Sequence, residues 1–221
     1  MSPYTRAAMR RLVPSLIAVL LAFAANAEPP SGRTEATIWL AHADAERRAE
    51  AVAWIATHGA MKDAELLHPR LRDEHPQVRV LAERALWIVW SRSGDAAVDP
   101  LLERGIGQMQ SGDHRRAIAT FSEVIRRKPA FAEGWNKRAT ALFFARDYRR
   151  SLADCDEVLK RNPGHFGALS GIGQNWFALD EYEKARDAWK RALEVNPNMP
   201  GVEANIEGVE ALLRERRGSS T

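Results

Sequence analysis

The stretch FGALSGIGQNWFALDEYEKARDAWKRALEVNPNM, residues 166–199, decides how the chain is read. Leu169, Ile172, Gly173 and Trp176 recur at the three- and four-residue spacing of one helix face. Tyr182, Ala185 and Trp189 do the same after a polar break, and Pro197 stops the pattern. Shifted back by 34 residues, the same order returns twice. Pro129, Pro163 and Pro197 fall in step, as do Leu101, Trp135 and Leu169. Gly105, Ala139 and Gly173 share a column; so do His114, Tyr148 and Tyr182. Ala117, Ser151 and Ala185 form another, and Phe121, Cys155 and Trp189 a last one. A period of this length marks stacked helical units, each unable to bury its apolar face alone.

The string GIGQ occurs at Gly105–Gln108 and again at Gly171–Gln174. Alternating glycines ahead of a helix suggest a phosphate cradle. Register argues otherwise, because Gly105 aligns with Gly173, leaving Gly107 and Gly171 incidental. A dinucleotide loop also needs a preceding strand and a third glycine, and a P-loop needs G-K-[ST]; none of these is present. The aligned glycines are expected to let paired helices approach.

These columns resemble the tetratricopeptide pattern, W-x₂-L-G-x₂-Y, A-x₃-F and a terminal Pro. The resemblance covers units 98–131, 132–165 and 166–199. Gln108 departs from it where an aromatic is usual, and Arg104 and Arg138 where a leucine is common. It implies an all-α, right-handed α-solenoid of antiparallel helix pairs, the first helix of each pair lining the concave face. Asp113, Asp147 and Glu181 would stand at the start of each second helix, where negative charge suits the N-terminus.

Residues 35–97 repeat differently. AHADAERRAEAVAWI, 41–55, aligns with EHPQVRVLAERALWI, 74–88, at an offset of 33, and a helix-like piece from Ala64 to Leu71 precedes the second block. This arrangement resembles a HEAT-like repeat, which shares the stacked-helix plan. SRSGDAAVDP, 91–100, supplies turn residues between the two arrays. Val202, Ile206, Val209, Leu212 and Leu213 predict a capping helix over 200–217, with 218–221 as a tail.

At the other end, Arg6, Arg10 and Arg11 precede an apolar run from Leu12 to Ala25, and Ala25-Asn26-Ala27 supplies small residues for a signal peptidase. The run is shorter than the ~20 apolar residues of a spanning helix. Residues 1–27 are read as a signal peptide and 28–34 as a linker, which places the mature protein in the periplasm or outside the cell. Retention of the leader would instead make a membrane-tethered assembly factor. The chain has 32 Lys and Arg against 29 Asp and Glu. Without the three leader arginines the charges balance, so no overall basic bias points to nucleic acid.

The search for chemistry finds little. His42 and His75 occupy equivalent positions, but neither has a second ligand at helical spacing, so capping or packing is the favoured reading over a metal pair. Cys155 falls in the large apolar column, and Asp154 and Asp156 beside it would raise a thiol pKa. No G-x-S-x-G or H-E-x-x-H is present. No catalytic residue, metal site or cofactor is expected, and the rival, an enzyme-associated protein with its site in 35–97, lacks a His/Asp/Glu cluster.

The expected function is a non-enzymatic scaffold or adaptor of the cell envelope, holding a partner's peptide or helix in the concave groove. Met109, Phe143 and Phe177 form one candidate stripe there, with inter-repeat core as the competing assignment. Asn136, Thr140, Ser170 and Gln174 lie nearby, able to hydrogen-bond an extended backbone. Leu102 and Ile106 stand where carboxylate-gripping arrays of this kind carry Lys and Asn. The groove is therefore expected to take an apolar segment rather than an acidic tail.

Overall fold

A computed structural model describes residues 29–218. The leader and residues 219–221 lie outside the described residues. Among the described residues every regular element is helical, and no helix is long and apolar enough to cross a membrane. The chain divides into two compact units, one ending at Val89 and one beginning at Trp90.

The first unit contains α1 (Arg33–Trp39), α2 (Ala45–His58), the one-turn α3 (Ala64–Leu67) and α4 (Pro76–Trp90), whose last residue opens the second unit. The piece from Ala64 does not continue as one α-helix. It tightens into a 3₁₀ turn over His68–Arg72, with Pro69 near its start. Pro69 has no N–H to extend the α-helical ladder. Val52, Ile55, Leu67, Leu71, Val78 and Leu86 make the interior.

A buried ion pair crosses this unit. Arg48 grips Asp73 with two hydrogen bonds of 2.8 Å, and its third nitrogen donates to the carbonyls of His42 and Ala43. Asp73 also accepts from the His75 amide at 3.0 Å. His42 Nδ1 accepts from the Asp44 amide, and Asp44 caps α2 through the Glu46 amide. Each histidine is thus engaged in the turn that precedes its helix.

The second unit holds α5 (Asp99–Gln110), α6 (His114–Arg127), α7 (Ala132–Phe144), α8 (Tyr148–Arg161), α9 (Phe166–Ala178), α10 (Tyr182–Val195) and α11 (Pro200–Gly218). Helices pack in sequence order as an α-solenoid, α5 on α6, α7 on α8, α9 on α10, with α11 against α10. The glycine column sets the pair spacing. A Cβ on Gly105 would overlap the Phe121 ring, and one on Gly173 would overlap the Trp189 indole. Both rings are buried, each worth roughly 1.5–3 kcal/mol of apolar transfer. The middle pair solves the same problem differently: Ala139 brings a methyl, and its partner is the small Cys155.

Each first helix ends in one geometry. Asp113, Asp147 and Glu181 donate their amides back to Gln108, Leu142 and Trp176, while Gly112, Arg146 and Asp180 donate to Met109, Phe143 and Phe177. This is the Schellman closure, and it needs a left-handed residue. Gly112, Arg146 and Asp180 supply it at φ of 84°, 62° and 59°. The next residue caps the second helix: Asp113 accepts from the Arg116 amide and Asp147 from that of Arg150. Glu181 makes no such bond and pairs with Lys184 at 3.1 Å instead.

Candidate functional site

The middle of the array carries buried and half-buried charged groups. Arg138 of α7 occupies the position expected for leucine, and it is an organised residue. It donates to both carboxylate oxygens of Asp154 on α8, at 2.7 and 2.8 Å, and to Ser122 Oγ on α6 at 3.0 Å. Three successive helices are tied by one guanidinium. At the start of α7, Glu133 is fully enclosed, with Lys137 at 2.8 Å and His165 Nε2 at 3.1 Å. His165 Nδ1 accepts from the Ala168 amide and so caps α9, which leaves Nε2 as the donor to Glu133. Trp90 stacks on this imidazole at 4.3 Å. Burial opposes the charge on Glu133, but Lys137 and His165 outweigh it and hold the carboxyl at about 2.

Between α7 and α9, above α8, lies a cleft of about 100 Å³. Asn136, Ala139, Thr140, Phe143 and Phe144 form one wall, Gly167, Gly171, Gln174 and Asn175 the other, and Ser151 and Cys155 the floor. Its volume is below the ~300–1,000 Å³ usual for small-molecule pockets. It has room for one side chain, and no charged residue lines it. The cleft exists because the column that holds Phe121 and Trp189 elsewhere holds Cys155 here, and because Gly167 and Gly171 leave the facing wall bare.

The sequence-derived groove residues divide. Asn136, Thr140, Phe143 and Gln174 come together around the cleft. Asn136 donates to Glu133, and Thr140 Oγ1 donates to the Asn136 carbonyl. Leu102 is a correction: it is buried in the core with Val98, Phe121 and Phe131. Ile106 and Met109 pack against that same core. Ser170 is also buried, its carbonyl accepting from Trp189 Nε1. Phe177 is 41 % exposed, but its ring leans on Tyr182 and Trp189 at 5.4 and 5.9 Å rather than on the cleft. The stripe of Met109, Phe143 and Phe177 is therefore not one surface.

Sequence reasoning missed Phe144, Asn175 and the floor of the cleft. Phe144 is 54 % exposed at the end of α7, its outer neighbour being His114 at 5.5 Å. Asn175 shares a 34-residue column with Gly107 and Ala141. One polar residue among two small ones was the available signal.

The Cys155 thiol is pushed up to about 12, first by burial and then by Asp154 and Asp156, so it stays protonated and unreactive at neutral pH. Among the described residues no cluster of three His, Cys, Asp or Glu is placed to hold a metal ion. A wider hollow of about 480 Å³ uses the opposite face of α8, with Leu152, Ala153, Trp176 and Leu179. Its rim carries Arg149, Asp156, Glu181 and Lys184, and Lys184 already lies over Trp176 at 4.6 Å.

Comparison with known proteins agrees with this geometry. The tetratricopeptide repeat model matches residues 102–143 and 136–200. Over these residues the array is similar to tetratricopeptide repeats. A TPR repeat-containing protein of Rhizobium etli is 31 % identical over 126 residues, 57 % of this chain; the chain spans 62 % of that relative's length. Among solved structures, the Sgt2 TPR domain from Aspergillus fumigatus superposes with a TM-score of 0.55 at 19 % identity, over 57 % of this chain and 85 % of that one. The first TPR of Spaghetti (RPAP3), solved with the HSP90 peptide SRMEEVD, gives 0.51 at 24 % identity, over 53 % and 93 %. MamA from Desulfovibrio magneticus RS-1 gives 0.51 at 19 %, over 72 % and 89 %. At these identities the likeness is one of fold.

Proposed function

We propose that this protein is a non-catalytic interaction scaffold of the cell envelope, and that its tetratricopeptide array holds an extended, uncharged, largely apolar segment of a partner protein across the cleft between α7 and α9. The observation that carries this reading is the cleft itself, with two phenylalanines at one lip, amides at both walls and no charged lining residue. An array of the same fold is solved with an HSP90 peptide, which supports peptide binding as the type of function. That peptide, SRMEEVD, ends in acids. The neutral lining found here favours a different partner chemistry.

The envelope assignment rests on the leader, with its arginines, apolar run and Ala25-Asn26-Ala27. The HEAT-like reading of 35–97 would make the first unit a second stacked-helix surface. N-terminal sequencing of the protein from its native host tests the location: a start at Glu28 supports export, and intact Met1 in the soluble cytosol overturns it. Binding is tested by a photo-crosslinking residue at Gln174, in the cleft, against one at Arg149, in the charged hollow. Crosslinks to a protein from Gln174 alone support the cleft. Crosslinks only from Arg149 would move the site to the other face.

A further inference from the structure

Asn175 is 1 % exposed and lines the cleft. Its amide orientation is fixed by two bonds. Nδ2 donates to Ser151 Oγ at 3.0 Å and to the Gly171 carbonyl at 2.8 Å. Ser151 Oγ in turn donates to the Ala139 carbonyl at 2.8 Å, so it can only accept from Asn175. Turning the amide over would set its oxygen against the Gly171 carbonyl. Oδ1 is thereby left as an acceptor, buried and without a hydrogen-bond partner. A buried acceptor of this kind costs stability until a donor reaches it.

The surroundings define that donor. The cleft it lines also holds Ala139, Cys155, Phe143 and Gly171, and its other polar residues are neutral. A carboxylate brings no donor and would meet a lone pair. A Lys or Arg brings donors but finds no anion among the lining residues. A purely aliphatic chain leaves Oδ1 unmet. We infer that the cleft is a specificity pocket for one neutral, donor-ending side chain of the bound segment, threonine, serine, asparagine or glutamine, whose O–H or N–H reaches Asn175 Oδ1. This rests on the groove reading above and adds the identity of the anchor residue.

The test is a selection of random dodecapeptides displayed on phage against the full chain. Enriched peptides are expected to share one Thr, Ser, Asn or Gln at a fixed place among apolar residues. Replacing that residue in the synthetic peptide by a shape-matched partner without the donor, Thr by Val for example, should weaken binding about tenfold, the worth of one hydrogen bond. In Asn175→Leu the preference should vanish. The double variant Ala139→Gly/Cys155→Phe copies the Gly105–Phe121 pair and fills the cleft, so it should keep its melting temperature and lose the peptides. Equal binding of the Thr and Val peptides to the unaltered chain overturns the inference, and that comparison depends on no variant folding. So does a preference that survives in Asn175→Leu, which would mean that the donor is met by a group other than Oδ1. If no peptide is enriched at all, it is the groove reading that fails.

Discussion

Gly173 and Trp189 are built as one unit: the indole lies so close to the Gly173 backbone that a Cβ there would overlap the ring. Gly105 and Phe121 repeat the relationship in the first pair. Gly107, in the same GIGQ string as Gly105, has nothing within 4 Å of where its Cβ would be. Gly105→Ala and Gly173→Ala should each cost roughly 1–3 kcal/mol through overpacking. Gly107→Ala should instead stabilise by up to about 1 kcal/mol, by helix propensity. Urea midpoints of the three variants check both signs.

Arg146 adopts φ of 62° at the end of α7, where the first pair has Gly112. A non-glycine residue in this region costs roughly 1–2 kcal/mol. Arg146→Gly should therefore raise stability by about 1 kcal/mol, a gain reduced by the greater freedom of glycine in the unfolded chain. Thermal unfolding measures it.

In the first unit, Arg48 and Asp73 are nearly enclosed and bonded twice. Arg48→Met would leave Asp73 with the His75 amide and the longer contact to Arg70, at 3.3 Å. Breaking a buried pair on one side costs about 3–5 kcal/mol. Hydrogen exchange should show α2 and α4 losing protection, well beyond any change in α9 or α10.

Glu133 titrates at about 2 against an ordinary 4.5. Its folded-state pKa is depressed, so its contribution is complete above about 4.5 and is lost as pH falls toward 2. Asp73 is also lowered, burial being outweighed by Arg48 and the His75 amide, and acts in the same direction. Stability should fall steeply on acidification through that window. Glu133→Gln should flatten the fall and lower stability at pH 7 by about 1–3 kcal/mol. Urea titrations from pH 7 to pH 3 decide it.

The repeat type was legible because packing columns repeat whenever a helix pair is copied. Prolines at 129, 163 and 197 fixed the period, and Gly105 and Gly173 the close approach. What the columns concealed were positions where the pairs differ. Leu102 aligns with Asn136 and Ser170, which made it look like a groove residue, yet its own neighbours are Val98, Phe121 and Phe131 and it is core. Arg138 looked like a defect, and its reason, Asp154 and Ser122, lies on two other helices. The left-handed turns at Arg146 and Asp180 were hidden because only Gly112 advertises that conformation by residue type. The cleft arises from a missing ring at Cys155, which becomes visible once its column is compared with Phe121 and Trp189.

The most direct test is calorimetric titration of the partner segment crosslinked at Gln174 against the unaltered chain and Phe144→Ser/Gln174→Ala. Both side chains are exposed at the cleft, and Phe144 replaces Phe177 as the better probe because it does not lean on Trp189. The expected result is a loss of about tenfold or more in affinity, with little change in melting temperature and weak dependence on salt. Equal affinity for the two proteins, or binding that falls steeply with salt, would contradict a neutral groove between α7 and α9.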